Sequence, residues 1–246
     1  MSSVDVAPQS GDPRVADLVR AGRIRVALFL PQYAKDAATG APKGIYVDLV
    51  QALASRIGVE LVLLEKRTPA EAVAALTAGA CDLASLGFDP ARAPLVGGFS
   101  PPFMRVEFTL MLPAGSPIRS IAQADQPGVR IAVVRDHAST LALGRILRHA
   151  EQVGADTPGD AFALLQGGRA DAWASVRPVL LEYAARLSGA RMLDRSYGAN
   201  QPAFVVAKGQ DARLAYVSEF IADAKAAGLV QRAIERAGRA GIMVAA

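Results

Sequence analysis

Thr68-Pro-Ala-Glu-Ala-Val-Ala-Ala-Leu-Thr-Ala-Gly-Ala-Cys-Asp82 aligns without a gap onto Thr157-Pro-Gly-Asp-Ala-Phe-Ala-Leu-Leu-Gln-Gly-Gly-Arg-Ala-Asp171. Thr, Pro, two Ala, Leu, Gly and Asp are identical, and Glu71 is matched by Asp160. Each copy reads as an N-cap threonine, a first-turn proline, an acidic residue three positions on, an apolar helical face, a glycine stop and a strand entry. Caps and stops recur in many helices, but here cap, face, stop and strand entry agree in register. The period is too long for a solenoid, whose units are shorter. Two α/β lobes of like design follow, with sites at corresponding strand ends, and the cleft between such lobes is a natural ligand site.

Working outward, residues 1–12 read as a loose tail, and Pro13 to Gly22 as a helix ended by glycine. Ile24 to Leu30 is a buried strand followed by a Pro/Gly/Ala-rich loop that carries Gln32 and Tyr33. Val47, Leu49, Val50, Leu53, Ala54 and Ile57 form one helical face closed by Gly58. Val59 to Leu64 is the next strand, the Thr68 helix follows, and Asp82 to Leu86 is a strand. Such a βαβαβ order predicts a parallel sheet with helices on its faces. In the second half, strands are predicted at 131–134, 170–176, 191–193 and 203–207. Helices are predicted at 139–150, from Thr157 on, and at 180–187, 212–227 and 229–239.

The 246 residues are 52% hydrophobic and 20% charged, enough for a substantial core and unlike a disordered chain. Basic residues exceed acidic ones for a net charge of +4, but they are scattered, so no nucleic-acid tract is indicated. Cys81 is the single cysteine, which excludes an intrachain disulfide and a cysteine-based metal cluster; it reads as a buried small residue. His137 and His149 stand twelve positions apart, outside the usual metal-ligand spacings. Neither a metal nor a cofactor is expected. No window approaches the roughly 18 apolar residues of a membrane span. Met1 to Asp12 lacks the order of a signal peptide, so either a leader was removed or the protein is not exported by that route, which leaves a cytoplasmic location as the alternative to a periplasmic one.

In Gly79–Phe103 (GACDLASLGFDPARAPLVGGFSPPF) the strand runs straight into an irregular Gly-Phe-Asp-Pro-Ala-Arg turn. Ligands of open α/β sheets bind just past the carboxyl ends of strands. Arg92 therefore sits where a guanidinium can grip an anion with two prongs. From this segment alone, a solvated surface arginine is an equal alternative.

In order along residues 20–238, the chain resembles family 3 of the bacterial extracellular solute-binding proteins, with the periplasmic-binding-protein-like class II fold. The resemblance is carried by Gly22-Arg-Ile-Arg-Val-Ala27, Lys43-Gly-Ile-Tyr-Val-Asp-Leu-Val-Gln-Ala-Leu-Ala54 and Ala75-Leu-Thr-Ala-Gly-Ala-Cys-Asp82. It continues through Pro90-Ala-Arg92, Phe99-Ser-Pro-Pro-Phe103 and Ala224-Lys-Ala-Ala-Gly-Leu-Val230. It implies two α/β lobes, 1–104 plus 202–246 and 108–198, joined by a two-strand hinge near 103–107 and 199–202, with the ligand in the cleft. It implies that Arg92 binds a ligand carboxylate, that Phe29 or Tyr33 packs on the ligand, and that the 136–138 helix start (Asp136, His137, Ala138) supplies backbone amides.

Two departures bear on the ligand. The hydroxyl-bearing turn of the family is shortened to Gly87-Phe88-Asp89-Pro90, and the acid that pairs with an α-ammonium falls on Val176, followed by Arg177. A buried ammonium without an acid is costly. Either the ligand is not a standard α-amino acid, or Asp89 or Glu107 has taken over that role. The expected ligand-binding set is Phe29, Tyr33, Phe88, Asp89, Arg92, Glu107, His137, Ala138, Arg177 and Gln201. For His137 a partly exposed loop position is an equal reading, and Arg177 could simply flank a helix start. Trp173 reads as core, and Asp82 and Asp171 as structural strand entries.

The expected function is a periplasmic, monomeric receptor. It passes a small carboxylate solute to the membrane permease of an ABC importer by hinge closure. The alternatives are an enzyme on the same fold resembling cyclohexadienyl dehydratases, which needs an acid of raised pKa such as Glu107, and a ligand-sensing module.

Overall fold

A computed structural model of the chain describes residues 11–29, 32–88, 92–135 and 137–246. The expected tail of residues 1–12 therefore lies outside the described residues up to position 10. The chain divides into two compact units. The first is Met1–Met104, Gln201–Gly238 and Met243–Ala246; the second is Arg105–Asn200 and Arg239–Ile242. Residues 239–242 thus go with the second unit, where the sequence reading placed all of 202–246 in the first. Gly241 lies so close to the aliphatic stem of Arg177 that a Cβ there would meet Arg177 Cγ at 2.9 Å.

In the first unit, α1 (Ala16–Ala21) ends on left-handed Gly22 and leads into β1 (Arg23–Phe29). A small hairpin, β2 (Ala34–Lys35) and β3 (Pro42–Lys43), precedes α2 (Ile45–Ile57). Of the expected face of α2, Leu49, Val50, Leu53, Ala54 and Ile57 are buried and Val47 is half-buried, and Gly58 closes the helix at φ 82°, its amide bonded to Ala54 and Ser55 carbonyls. Then come β4 (Glu60–Lys66), α3 (Pro69–Thr77), β5 (Leu83–Gly87) and β6 (Gly98–Phe99).

The second unit runs β7 (Met104–Leu112, in this unit from Arg105), α4 (Ile121–Ala124), β8 (Arg130–Val134), α5 (Ala138–Ile146), β9 (Glu151–Ala155) and α6 (Pro158–Gln166). It continues through β10 (Ala172–Val176), α7 (Arg177–Ala184), β11 (Arg191–Met192) and β12 (Gly198–Asn200). The chain then supplies β13 (Pro202–Val206), α8 (Asp211–Ala226) and α9 (Leu229–Ala237) to the first unit.

The strand order is β4-β1-β5-β13-β6 in the first sheet and β11-β7-β10-β8-β9 in the second, with β12 also pairing β7. β4, β1 and β5 are parallel, and β13 returns antiparallel to β5. β9, β8 and β10 are likewise parallel, and β7 runs antiparallel to β10. The two units therefore repeat one plan, and its stitching repeats to the atom. Thr68 Oγ1 accepts the Glu71 amide at 3.2 Å, and Thr157 Oγ1 the Asp160 amide at 3.1 Å. Gly79 and Gly168 turn left-handed at φ 68° and 66°. Asp82 accepts from the backbone and guanidinium of Arg25, and Asp171 does the same for Arg130. These aspartates lock β5 to β1 and β10 to β8.

Burial holds each sheet. Ala27, Ala84, Leu86, Val96 and Val205 pack against Ala72, Ala75 and Leu76 of α3 in the first unit. In the second, one face packs Leu110, Ile131, Val133 and Leu143, and the other packs Ala132, Trp173, Phe162 and Leu180. Trp173 is fully buried, as expected of a core residue.

Candidate functional site

The parallel strands of each sheet deliver their carboxyl ends, and the loops that follow them, to one edge. In the first unit this edge gathers Phe29, Phe88, Arg92 and Gln201. Arg92 is half-buried in the turn after β5, and its Nη1 donates to the carbonyl of Gly87 at 3.3 Å. No carboxylate pairs with it among the described residues, whereas Arg14, Arg25, Arg56, Arg213 and Arg236 of the same unit each bind one. The Phe88 amide donates to the carbonyl of Gln201 at 3.4 Å, and Pro202 stands opposite Gly87 in the β5–β13 register. Phe88 itself is 60% exposed. Asp89 lies outside the described residues.

Tyr33 and Gln32 take structural duties. The Tyr33 hydroxyl donates to Glu65 at 3.0 Å, and the residue is 8% exposed, leaving little of it open to a ligand. Gln32 accepts the Phe29 amide at 3.2 Å and donates to the Ser85 carbonyl at 2.9 Å, tying the end of β1 to β5. Phe29 is half-buried against the α3-side core.

In the second unit the edge gathers Glu107, Val176, Arg177, His137 and Ala138. Glu107 and Arg105 alternate onto one face of β7, and Arg105 donates to Glu107 at 2.6 Å. Arg177 adds a bond to the other carboxylate oxygen at 3.1 Å and donates to the carbonyls of Leu193 and Asp194. Partial burial alone pushes the Glu107 carboxyl up, but the two guanidiniums outweigh it and hold it below the usual range. Val176 is the N-cap of α7 and offers no side-chain cap. His137 is the N-cap of α5, in extended backbone with no side-chain capping hydrogen bond, and Ala138 opens the first turn. A helix start of this kind favours negative charge. Asp136 lies outside the described residues.

Among the described residues, Arg92 has no carboxylate partner at the first edge, and Arg105 and Arg177 share the Glu107 carboxylate in the second unit. Reading the sequence missed Arg105 as a partner of Glu107; their i, i+2 spacing within a strand was the available signal. Among the described residues no cluster of His, Cys, Asp and Glu fits a metal ion, and no helix is long and apolar enough to cross a membrane.

Residues 24–239 match the family described as bacterial extracellular solute-binding proteins, family 3. No curated protein sequence matches the chain significantly. Among solved structures, the chain is similar to a putative binding component of an ABC transporter from Wolinella succinogenes complexed with lysine. The TM-score is 0.74 at 24% identity, over 87% of this chain and 95% of that one. It is also similar to the ancestral amino acid-binding protein AncCDT-1, described as a precursor of cyclohexadienyl dehydratase, with TM-score 0.72 at 24% identity over 90% and 97%. An amino acid ABC transporter substrate-binding protein from Streptococcus pneumoniae bound to L-arginine gives 0.70 at 23% over 91% and 97%. At such identities these structures establish the fold, and the fold is that of the periplasmic binding proteins of class II.

Proposed function

The chain belongs to the bacterial extracellular solute-binding proteins, family 3, and from that premise we propose that it captures a small carboxylate-bearing solute for the membrane permease of an ABC importer. The observation that carries this reading is Arg92, half-buried at the carboxyl end of parallel strands and, among the described residues, bonded to the Gly87 carbonyl and to no carboxylate. A guanidinium presents a planar fork that matches a carboxylate, and partial burial strengthens the attraction. In the second unit, two guanidiniums share the Glu107 carboxylate, which favours the same sign of ligand. Capture by hinge closure, action as a monomer and a periplasmic location belong to the same proposal and are supported by the family.

The ligand's amino group is a separate question. Glu107 is already held by two guanidiniums, so an ammonium would have to displace one of them. Standard L-amino acids are therefore expected to bind weakly, and tight calorimetric binding of several of them would count against this part. The decisive experiment is native mass spectrometry of the purified chain for a co-purified small acid, with Arg92→Ala as control. The variant should lose affinity for that acid by roughly a hundredfold or more. Unchanged affinity would remove Arg92 from the site.

An enzyme resembling cyclohexadienyl dehydratases needs a carboxylic acid that stays protonated near neutral pH. Glu107 is held in the opposite direction. Turnover of prephenate or arogenate would nonetheless revive that reading.

A further inference from the structure

Phe88 is the most exposed of the large apolar side chains among the described residues, at 60%. Single exposed apolar residues are ordinary, but the placement of this one is not. Its ring rests edge-on against Phe99, with centroids 5.3 Å apart at 73°. Phe99 in turn packs on the cluster formed by Ala84, Leu86 and Val205. The Phe88 backbone is pinned by the bond to Gln201. The ring is therefore seated on the core while leaving most of its surface open. It springs from the same short turn as Arg92, whose guanidinium folds back to the carbonyl of Gly87, the residue just before Phe88. Leu95, one helical turn beyond Arg92 and bonded to its carbonyl, is 50% exposed. In chain order, a cation without a carboxylate partner among the described residues is thus flanked by two open apolar side chains.

We propose that Phe88 is a specificity-determining residue of the Arg92 site. The solute is then a carboxylate with an apolar body, such as an arylalkanoate or a branched aliphatic acid, and not a short polar acid. This rests on the reading that Arg92 holds the carboxylate. With the carboxylate on the fork, the adjoining carbons of the solute lie over the Phe88 ring. Covering that ring removes apolar surface from water, and a polar solute gains nothing from it.

The test is calorimetry on the full chain, dialysed free of co-purified solute, with phenylacetate, 4-methylpentanoate and succinate. Wild type, Phe88→Ala, Phe88→Leu and Arg92→Ala are compared. Because Phe88 is mostly exposed, its variants should keep the wild-type circular dichroism. The two apolar acids should bind more tightly than succinate, with a negative heat-capacity change. Phe88→Ala should weaken them roughly ten- to a hundredfold, and Phe88→Leu much less. Succinate binding as tightly as phenylacetate, or Phe88→Ala leaving phenylacetate unchanged while Arg92→Ala abolishes it, overturns the inference and leaves the carboxylate reading standing. Binding of none of the three acids, or binding that survives Arg92→Ala, overturns both.

Discussion

At the scale of single residues, the paired aspartates show how one motif takes different weights in two settings. Asp82 is 12% exposed and also lies near Arg213, whereas Asp171 and its Arg130 are each 39% exposed. Burial pushes the Asp82 carboxyl up, but the side-chain and backbone bonds from Arg25 outweigh it and hold it below the usual range. The Arg130 guanidinium holds the Asp171 carboxyl low in the same way, against a smaller burial effect. Asp82→Asn should therefore cost about 2–3 kcal/mol, and Asp171→Asn about 1 kcal/mol, because its pair is screened by solvent. Both folded-state values are depressed, so the stabilisation is present above the unfolded carboxylate range. It is lost as pH falls through the folded values, below roughly pH 4. Thermal midpoints measured from pH 6 to pH 3 should show the wild-type fall flattened in Asp82→Asn, and less so in Asp171→Asn. A parallel fall in all three proteins would mean that other carboxylates set the acid limit.

Among the elements, legibility followed periodicity. The helices with a clean apolar face and a glycine stop, α2, α3 and α6, were readable to within a residue or two. The strand β9 was not, because Glu151-Gln-Val-Gly-Ala155 has neither alternation nor a run of β-branched residues and takes its shape from pairing with β8. The predicted helix over 139–150 ends early, at Ile146. The Asp125 carboxylate, distant in sequence, takes the amides of Arg148, His149 and Ala150 and so holds that segment in a turn. No local pattern announces such a partner. The candidate site, itself a proposal, was legible in the same uneven way. Arg92 followed from strand-end position, while the ring of Tyr33 and the charge of Glu107 are engaged by partners that only tertiary contact supplies. One constraint of this kind is testable. Gly97 passes so close to the stretch after β13 that an added Cβ would meet the Ala207 carbonyl oxygen at 2.2 Å. Its own amide bonds to Val206 at 2.8 Å, so neither backbone can yield without loss. Gly97→Ala should cost at least about 2–3 kcal/mol by urea unfolding, as overpacking does. A cost under about 0.5 kcal/mol, ordinary for a surface change, would show that this approach relaxes freely.

The whole molecule carries one natural reporter in each unit. Cys81, the single cysteine, is 3% exposed at the entry to β5 in the first unit. Burial pushes its thiol up to about 11, so near pH 8 it is both shielded and protonated. Trp173, the single tryptophan, is fully buried in the second unit between Phe162 and Tyr183. Each unit has its own sheet and its own apolar clusters, which is the condition for separate cooperative unfolding. In a urea series, the reactivity of Cys81 toward a disulfide reagent and the emission of Trp173 should therefore change at different concentrations. Coincident curves would mean one cooperative body. The solute turns the same experiment into a test of capture. A ligand present at a hundred times its dissociation constant stabilises whatever binds it by about 2.7 kcal/mol. If both units contribute to holding the carboxylate, both transitions should move up together. If Arg92 and its turn hold it alone, only the Cys81 transition should move, and the proposed hinge closure fails.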